Sequence, residues 1–445
     1  MDITKFFDEN YNNFASYDVL RKIASYTDGL KISGRKIIFT MAKKNLSNLT
    51  KTSQIASMSS LTTEYLHGED GLNKVIVGMC RDYVGTNNLP LLDKEGSFGT
   101  RMLNDPAAPR YTKNKKSEYF DILFNKDDLK IISETKKQVF EGTEIEPVHL
   151  IPILPIILMN GVNSIGIGFA QKILPRNPKD IIKQIKNYLN DKTIHYMMPY
   201  YKGFDGKVYE DEENIVIQGC IEKARKNVLR ITEIPVKYDL ETYKKKVLDK
   251  LEDNGTIINY KDLSDTSKDT FEFEIKCKPA LYNRLEYELM NTFKLEDRIV
   301  ENFTLLDENN KVVVFDDELD LLEAYMILRL EYYEMRKQYI LDRMNRETEI
   351  SKNKLRFIQM IIDKKIIINK RKKADITLDI IKHKFSKIDG TYDYLFGMKI
   401  YNLTKEKIEE LKKKLELMLK EIEDLKKTTL KQMWLKDIKD IEKYL

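Results

Sequence analysis

An arginine followed directly by a tyrosine, Arg110–Tyr111 in the segment DPAAPRYT, is the pair in this sequence best suited to attack a phosphorus atom. A tyrosine hydroxyl with its ordinary pKa of about 10 is a poor nucleophile at neutral pH. A neighbouring guanidinium changes that, because it can lie against a phosphate, offset its charge and stabilise a pentacovalent transition state. The small residues ahead of the pair, Ala107 and Ala108, would let a duplex come close. Taken alone, the dipeptide describes a packed tyrosine beside a surface arginine equally well, so the surrounding sequence has to carry the distinction.

The 445 residues are enough for two to three domains. A third of them are charged, but the net charge is only +5, so any nucleic-acid surface must come from local clustering of basic residues. Cys80, Cys220 and Cys277 are far apart and form no CxxC pair, which argues against structural zinc and against a disulfide framework and fits a reducing, cytoplasmic setting. The N-terminus lacks the basic and apolar regions of a signal peptide. The apolar run Ile151–Met159 is broken by Pro152 and Pro155 and is too short to span a bilayer.

The expected fold is mixed α/β in three parts. In residues 1–155, SQIASMSSLTTEYL and GLNKVIVGMCRDYV read as helices joined by HGED, while GSFGTR and DPAAPRYT read as loops. Residues 156–315 are richer in strand patterns, in IVIQGCIEKA, VLRITEIPV and TFEFEIK. Residues 316–445 are helical. Leu321, Tyr325, Leu328, Tyr332, Met335 and Tyr339 form one heptad seam, and Ile408, Leu411, Leu415, Met418, Ile422 and Leu425 form a second. A continuous helix from about Asp317 to Lys373 would be about 80 Å long, with a small globular tip before the chain returns. Lys364, Lys365 and the run Lys370–Lys373 read as a solvated helix face.

Five segments resemble, in order, the DNA breakage-and-rejoining part of type IIA DNA topoisomerases: DGLKISGRKIIFTM, EYLHGEDGL, NNLPLLDKEGSFGTRMLNDPAAPRYT, PIILMNGVNSIGIGFAQKI and TYDYLFGMKIYNLTKEKIEEL. That family includes eukaryotic topoisomerase II, gyrase A and the medium subunit of T-even phage topoisomerases. The resemblance covers nearly the whole chain. It implies a winged-helix DNA gate in residues 1–155, an α/β tower in 156–315, and a coiled-coil arm with a small helical dimer contact in 316–445.

It also implies roles for particular residues. Tyr111 would be the nucleophile, forming a 5′-phosphotyrosyl link, with Arg110 supporting the transition state. His67 precedes a helix N-terminus, a position suited to phosphate. It would hydrogen-bond the scissile phosphate or move a proton, where the plain alternative is a helix-entry histidine bonded to backbone. Arg21, Lys31, Arg35 and Lys36 would bind backbone phosphates, the alternative being ordinary surface charge. Ile165, in the turn Ser164–Gly168, would wedge between base pairs and kink the duplex; a buried turn residue is the alternative, and Ile167 is the neighbouring candidate. His149, His195 and His383 are taken as structural. The sequence departs from the family at Leu66, often a histidine, at Ile32, usually a proline, and at Ser164, usually a glycine.

The family's magnesium site lies in an acidic TOPRIM domain, and no convincing version is found here. Asp316, Asp317, Glu318 and Asp320 form the best acidic cluster and read as helix capping. A phosphate-binding GxxxxGK[ST] loop is also not found. The expectation is therefore a homodimer acting on double-stranded DNA with a separate ATPase/TOPRIM subunit that uses ATP and holds most of the Mg²⁺ coordination, most like the phage medium subunit. With no residues left for a wrapping domain, relaxation and decatenation without negative supercoiling are expected. The competing readings are a catalytically silent DNA clamp and a tyrosine recombinase, whose Arg…HxxR…Tyr set is not found near Tyr111.

Overall fold

The structure, a computed structural model, describes residues 3–369, 371–397 and 405–445. The chain forms two compact units, Met1–Arg329 with Leu435–Leu445, and Leu330–Trp434. The class is mixed α/β, as expected.

In the first unit, helices α1 (Asn12–Lys22), α2 (Ile32–Lys43), α3 (Thr52–Thr63) and α4 (Glu69–Cys80) pack on one another, and α3 and α4 also lie against a small antiparallel sheet. That sheet has the order β1 (Thr50–Lys51), β3 (Lys113–Lys116), β2 (Leu92–Glu95). The two helices expected on either side of HGED are α3 and α4. Helix α4 begins after Gly68, and Glu69 and Asp70 in its first turn face the positive end of its dipole. Leu72, Ile76, Val77 and Met79 put its apolar stripe inward.

The strand-rich region contains a hairpin, β4 (Val162–Gly166) with β5 (Phe169–Ile173). A four-stranded antiparallel sheet follows, ordered β6 (Cys220–Arg225), β7 (Val228–Glu233), β9 (Phe273–Cys277), β8 (Ile257–Asp262). The predicted strands in IVIQGCIEKA, VLRITEIPV and TFEFEIK are present. Leu229, Ile231, Tyr243, Phe273, Ile275 and Phe293 form the centre of the core on this sheet.

The DGLK segment joins several of these pieces. Asp28 is fully buried and accepts from Arg35 Nε at 2.6 Å, from Leu30 N at 3.0 Å and from Leu150 N at 3.0 Å. Gly29 has φ +68, and a Cβ there would come within 2.5 Å of the Ile157 nitrogen. Glycine is therefore required both by the backbone conformation and by the close approach.

The long helix runs Glu318–Ile362, 45 residues or about 68 Å. It ends eleven residues short of the expected Lys373. Lys364 takes φ +59, its N–H bonds to Ile361 O at 3.0 Å, and Lys365 N bonds to Met360 O at 2.8 Å. This left-handed cap satisfies the last carbonyls, and Ile366 is then buried against Phe357, Ile376, Ile380, Phe385 and Leu395 in the small core of the second unit. The gain from burying Ile366 outweighs continuing the helix into a basic run.

In the first seam, Leu321, Tyr325, Leu328 and Tyr332 are buried, but Met335 is exposed; Arg336 is buried beside it, over the Tyr333 ring. In the second seam, on a helix spanning Lys405–Lys427, Ile408, Met418 and Ile422 are buried within this one chain. Of the C-terminal motif, residues 398–404 lie outside the described residues, as does Lys370 of the basic run. Among the described residues no helix is long and apolar enough to cross a membrane.

Acid should loosen the first unit through His149, which is buried beside the Asp28–Arg35 pair. Burial lowers its imidazole to about 4, against an ordinary value of about 6.5. Between those values the unfolded chain binds the extra proton. The contribution is therefore complete above pH 6.5 and falls as pH drops toward 4, by about 1.4 kcal/mol per pH unit. Urea unfolding at pH 7, 5.5 and 4.5 should show a shallower acid slope in His149→Gln than in the parent chain; identical slopes would contradict this.

Candidate active site

Tyr111 sits in the turn that enters β3, and its side chain is 68% exposed. Its backbone is nevertheless held firmly. Tyr111 N donates to Ala108 O at 2.8 Å, Ala107 N to Ser97 O at 3.0 Å, Ser53 N to Pro109 O at 3.2 Å and Thr52 N to Thr112 O at 3.0 Å. The free N–H groups at the start of α3 are thus used to fix the tyrosine's loop. Beneath it lies a buried polar chain. Thr52 Oγ1 donates to Asn114 Oδ1 at 2.6 Å and lies 2.7 Å from Thr112 Oγ1, and Asn114 Nδ2 reaches Cys80 Sγ at 2.8 Å. Arg110 lays its guanidinium over the Tyr111 ring, with Cζ 4.8 Å from the centroid.

The other side of the loop is clamped by two arginines that the motif reading did not single out. Arg81 donates to Phe98 O at 3.0 Å and to Asn104 O at 2.8 Å. Arg101 is buried, pairs with Glu233 at 2.7 Å and donates to Tyr238 O and Ile234 O, fastening the loop to β7. Thr52, Thr112 and Asn114 were missed as well. Their residue types carry no signal, because only the pairing of β1 with β3 brings them together.

The basic residues around DGLK divide into two groups. Arg21 lies at the rim of a cleft of about 250 Å³ that is also lined by Tyr17, Ser33, Tyr65 and His67. Its Cζ is 5.5 Å from the Tyr17 ring centroid. Lys31 is half-buried at the start of α2, and burial lowers its ammonium below the usual lysine range. Arg35 points inward, and Lys36 lines the same cleft as Arg21 but is largely buried; both are paired with carboxylates of this chain, against their reading as phosphate ligands. Arg35 is 3% exposed in its pair with Asp28. Lys36 is 7% exposed and donates to Glu146 at 2.9 Å and to Thr63 O at 2.6 Å. Both charges are paired within the protein, which fixes the orientation of α2.

His67 lies two residues ahead of α4 and is exposed. Its Nε2 is 2.5 Å from the Tyr17 hydroxyl, and the Tyr65 ring meets it edge-on at 5.6 Å. Loss of hydration and the Arg21 charge together lower its imidazole below the ordinary range, favouring the neutral ring. Its ring is thus bonded to a side chain, not to backbone. His149 is buried. His195 and His383 do not line this cleft.

Ile165 is 74% exposed on β4, paired with Ala170 one step below the hairpin's Ile167–Gly168 turn. Gly168, the second of the two turn residues, takes φ +76, a left-handed conformation that favours glycine. Ile167 is only half-exposed, and its N–H is held by Asp18 at 3.1 Å. Ser164, next to Ile165, is buried and bonds to Lys22 O. The hairpin is thus docked on α1 while Ile165 projects, so of the two isoleucines Ile165 is the free apolar side chain.

The family model that describes the A subunits of DNA gyrase and topoisomerase IV matches residues 21–439. The chain belongs to this family. It is 34% identical to DNA topoisomerase 2 of Plasmodium falciparum over 96% of this chain and 33% of that protein. It is 33% identical to DNA topoisomerase 2 of Arabidopsis thaliana over 97% of this chain and 32% of that protein. The chain therefore spans about a third of the length of these relatives. Its fold is similar to the crystal structure of the Plasmodium falciparum topoisomerase II DNA-binding, cleavage and re-ligation domain, with a TM-score of 0.90 and 33% identity, covering 98% of this chain and 64% of that one.

The family's reaction implies a divalent metal, and the acidic cluster at the start of the long helix does not fit one. Asp317 Oδ1 accepts from Leu319 N and Asp320 N, both at 2.9 Å, which is helix capping. Asp320 accepts from Asp316 N, and Glu318 is buried, accepts from Met197 N and lies 3.8 Å from Arg176. Among the described residues no group of three or more His, Cys, Asp or Glu side chains is arranged to hold a metal.

Thr52→Val should loosen the tyrosine's anchor without touching the nucleophile. It removes a hydroxyl bonded to Asn114 and leaves a buried acceptor unpaired, at a cost of about 1–3 kcal/mol. Chemical unfolding should register this loss, and hydrogen exchange should rise at Thr112 and Asn114; unchanged protection there would show that the anchor does not depend on Thr52.

Proposed function

We propose that this chain is the DNA cleavage and religation part of an ATP-dependent type IIA DNA topoisomerase, an isomerase that opens one duplex and passes a second through it. The observation that carries the reading is the combination at Tyr111: an exposed phenol, a backbone pinned by the hydrogen bonds of its loop, and an arginine lying on its ring. Residues 1–155 would form the winged-helix DNA gate, 156–315 the tower with its wedge, and 316–445 the arm and far dimer contact.

In the proposed reaction, the Tyr111 oxygen gives up its proton and bonds to a DNA phosphorus. The bond from phosphorus to the 3′ oxygen breaks, and that oxygen takes up a proton as the 3′-hydroxyl. A 5′-phosphotyrosyl link remains. It keeps the phosphodiester energy, so the reverse attack by the 3′-hydroxyl restores the strand without ATP. Each chain has one such tyrosine, so a double-strand break takes a homodimer. Arg110 sits where a guanidinium can swing from the phenol ring to the phosphate. Arg21, Lys31 and His67 would hold the backbone near α2 and α4, and Arg35 and Lys36 would position that surface from within. Ile165 would enter the base stack, where the stiffness of its docked hairpin makes bending the duplex the softer response. Mg²⁺ and ATP would be held mainly by an ATPase/TOPRIM partner, the two chains working together in the cytoplasm.

With such a partner and Mg²⁺ present, Tyr111→Phe should bind duplex DNA normally and give no covalent adduct after denaturant trapping. Adducts in the Phe variant would remove Tyr111 from the role, and a parent chain that forms none would favour a silent DNA clamp. Arg110→Ala should slow cleavage by about 10²–10³ while weakening binding only modestly; a near-normal rate would contradict its role.

Ile165→Ala should leave stability within about 0.5 kcal/mol, because the side chain is exposed. It should bend DNA less, as read by fluorescence transfer between the ends of a short duplex. An unchanged bend would place the wedge elsewhere.

A further inference from the structure

Helix α1 brings one more side chain to the cleft. Tyr17 stands one helical turn before Arg21, and its hydroxyl reaches His67 from fifty residues away in sequence. The two rings are tilted at 38° with centroids 6.0 Å apart, and the Tyr65 ring meets the imidazole edge-on at 73°. His67 is therefore in contact with two aromatic rings, with one of its nitrogens, Nε2, committed to Tyr17.

We propose that Tyr17 is a positioning residue for His67, whose hydroxyl donates to Nε2, selects the Nδ1–H tautomer and so presents Nδ1–H to a DNA phosphate oxygen in the cleft. The inference rests on the role proposed for His67 and adds what orients it. A phenol keeps its proton at neutral pH and donates well to the lone pair of a neutral imidazole nitrogen. The opposite arrangement would make the phenol oxygen the acceptor, a weaker one. The Arg21 guanidinium over the Tyr17 ring disfavours a second positive charge on the imidazole nearby. A histidine's second nitrogen is commonly fixed by such a partner, which decides what the first nitrogen can do. Here the consequence is a donor, not a base, facing the phosphate. His67 would then act by hydrogen-bonding the scissile phosphate, the first of the two roles its sequence position left open.

The test uses Tyr17→Phe in the full chain. Tyr17 is 47% exposed, so the variant keeps the ring under Arg21 and loses only the hydroxyl. Nitrogen-15 spectra of histidine-labelled chain report the tautomer, and with only four histidines the His67 signals are assigned by comparison with His67→Gln. The parent chain should show an unprotonated Nε2 and a protonated Nδ1 at pH 8, and Tyr17→Phe should move His67 toward the Nε2–H form. With the ATPase/TOPRIM partner present, Tyr17→Phe should cleave DNA roughly tenfold more slowly while duplex affinity falls far less, as expected for a lost orienting hydrogen bond. An Nε2–H tautomer in the parent chain, or a tautomer and cleavage rate that Tyr17→Phe leaves unchanged, would overturn the proposal. The tautomer is read without cleavage, so failure of the cleavage reading itself, seen as no adduct from the parent chain, is separately visible.

Discussion

Asp28 is a carboxylate with no access to water, and much of the first unit is arranged so that it can be. Burying an ion costs several kcal/mol unless every lone pair finds a donor. Asp28 finds the Arg35 guanidinium through both Nε and Nη2, and the backbone N–H groups of Leu30 and Leu150. Those four bonds join the DGLK turn, helix α2 and the segment that leads into Ile156–Asn160. Removing either charged partner would leave an uncompensated ion, a change that typically costs about 3–5 kcal/mol. The same solution recurs: Lys36 with Glu146, Arg101 with Glu233, Arg176 with Glu301, and Arg329 with Asp128 are all buried or nearly buried pairs. Such pairs are demanding in geometry, and that demand turns a set of helices and small sheets into a fixed frame.

The frame matters because the side chains proposed to meet DNA stand at its surface. Tyr111 and Ile165 are each more than two-thirds exposed, and both rise from backbone that is hydrogen-bonded on either side. An exposed side chain on a loose loop would lose freedom on meeting its substrate; one on a pinned turn has already lost it during folding. The clamps differ in kind. A buried Thr–Asn chain and two arginines hold the tyrosine loop, whereas antiparallel pairing and the Asp18 contact hold the hairpin. Both draw on residues distant in sequence, so their stiffness belongs to the fold rather than to the motifs.

The second unit follows a different logic. The part of the long helix that belongs to it ends in a left-handed cap at Lys364 that lets Ile366 reach the small core around Phe357 and Phe385. Trp434, fully buried against Tyr333, and Lys337, whose ammonium caps the carbonyls of Lys426 and Thr428, tie the returning chain to the outgoing one. Three positions of the second seam are already covered within a single chain.

The order of the motifs, the Arg110–Tyr111 pair, helices α3 and α4, the strands of the central sheet and both seams were legible in the sequence. Each is written in local spacing, in the identity of neighbouring residues, or in a repeat of 3.5 or 2. What the tertiary structure decided was direction. Arg35 and Lys36 belong to the same basic stretch as Arg21 and Lys31, yet they pair within the chain, with Asp28 and Glu146, and nothing in residue type separates a charge facing a phosphate from one facing a buried carboxylate. Ile165 and Ile167 are alike in composition and context, and only pairing register and the Asp18 contact leave the first one free. The long helix stops at Ile362, short of the basic run it was expected to include, since a buried isoleucine beyond it outweighs more helical turns. Tyr17 and His67 meet across fifty residues, a distance that no local pattern encodes. Local spacing determines which chemistry is present; what packs opposite each side chain determines where it points.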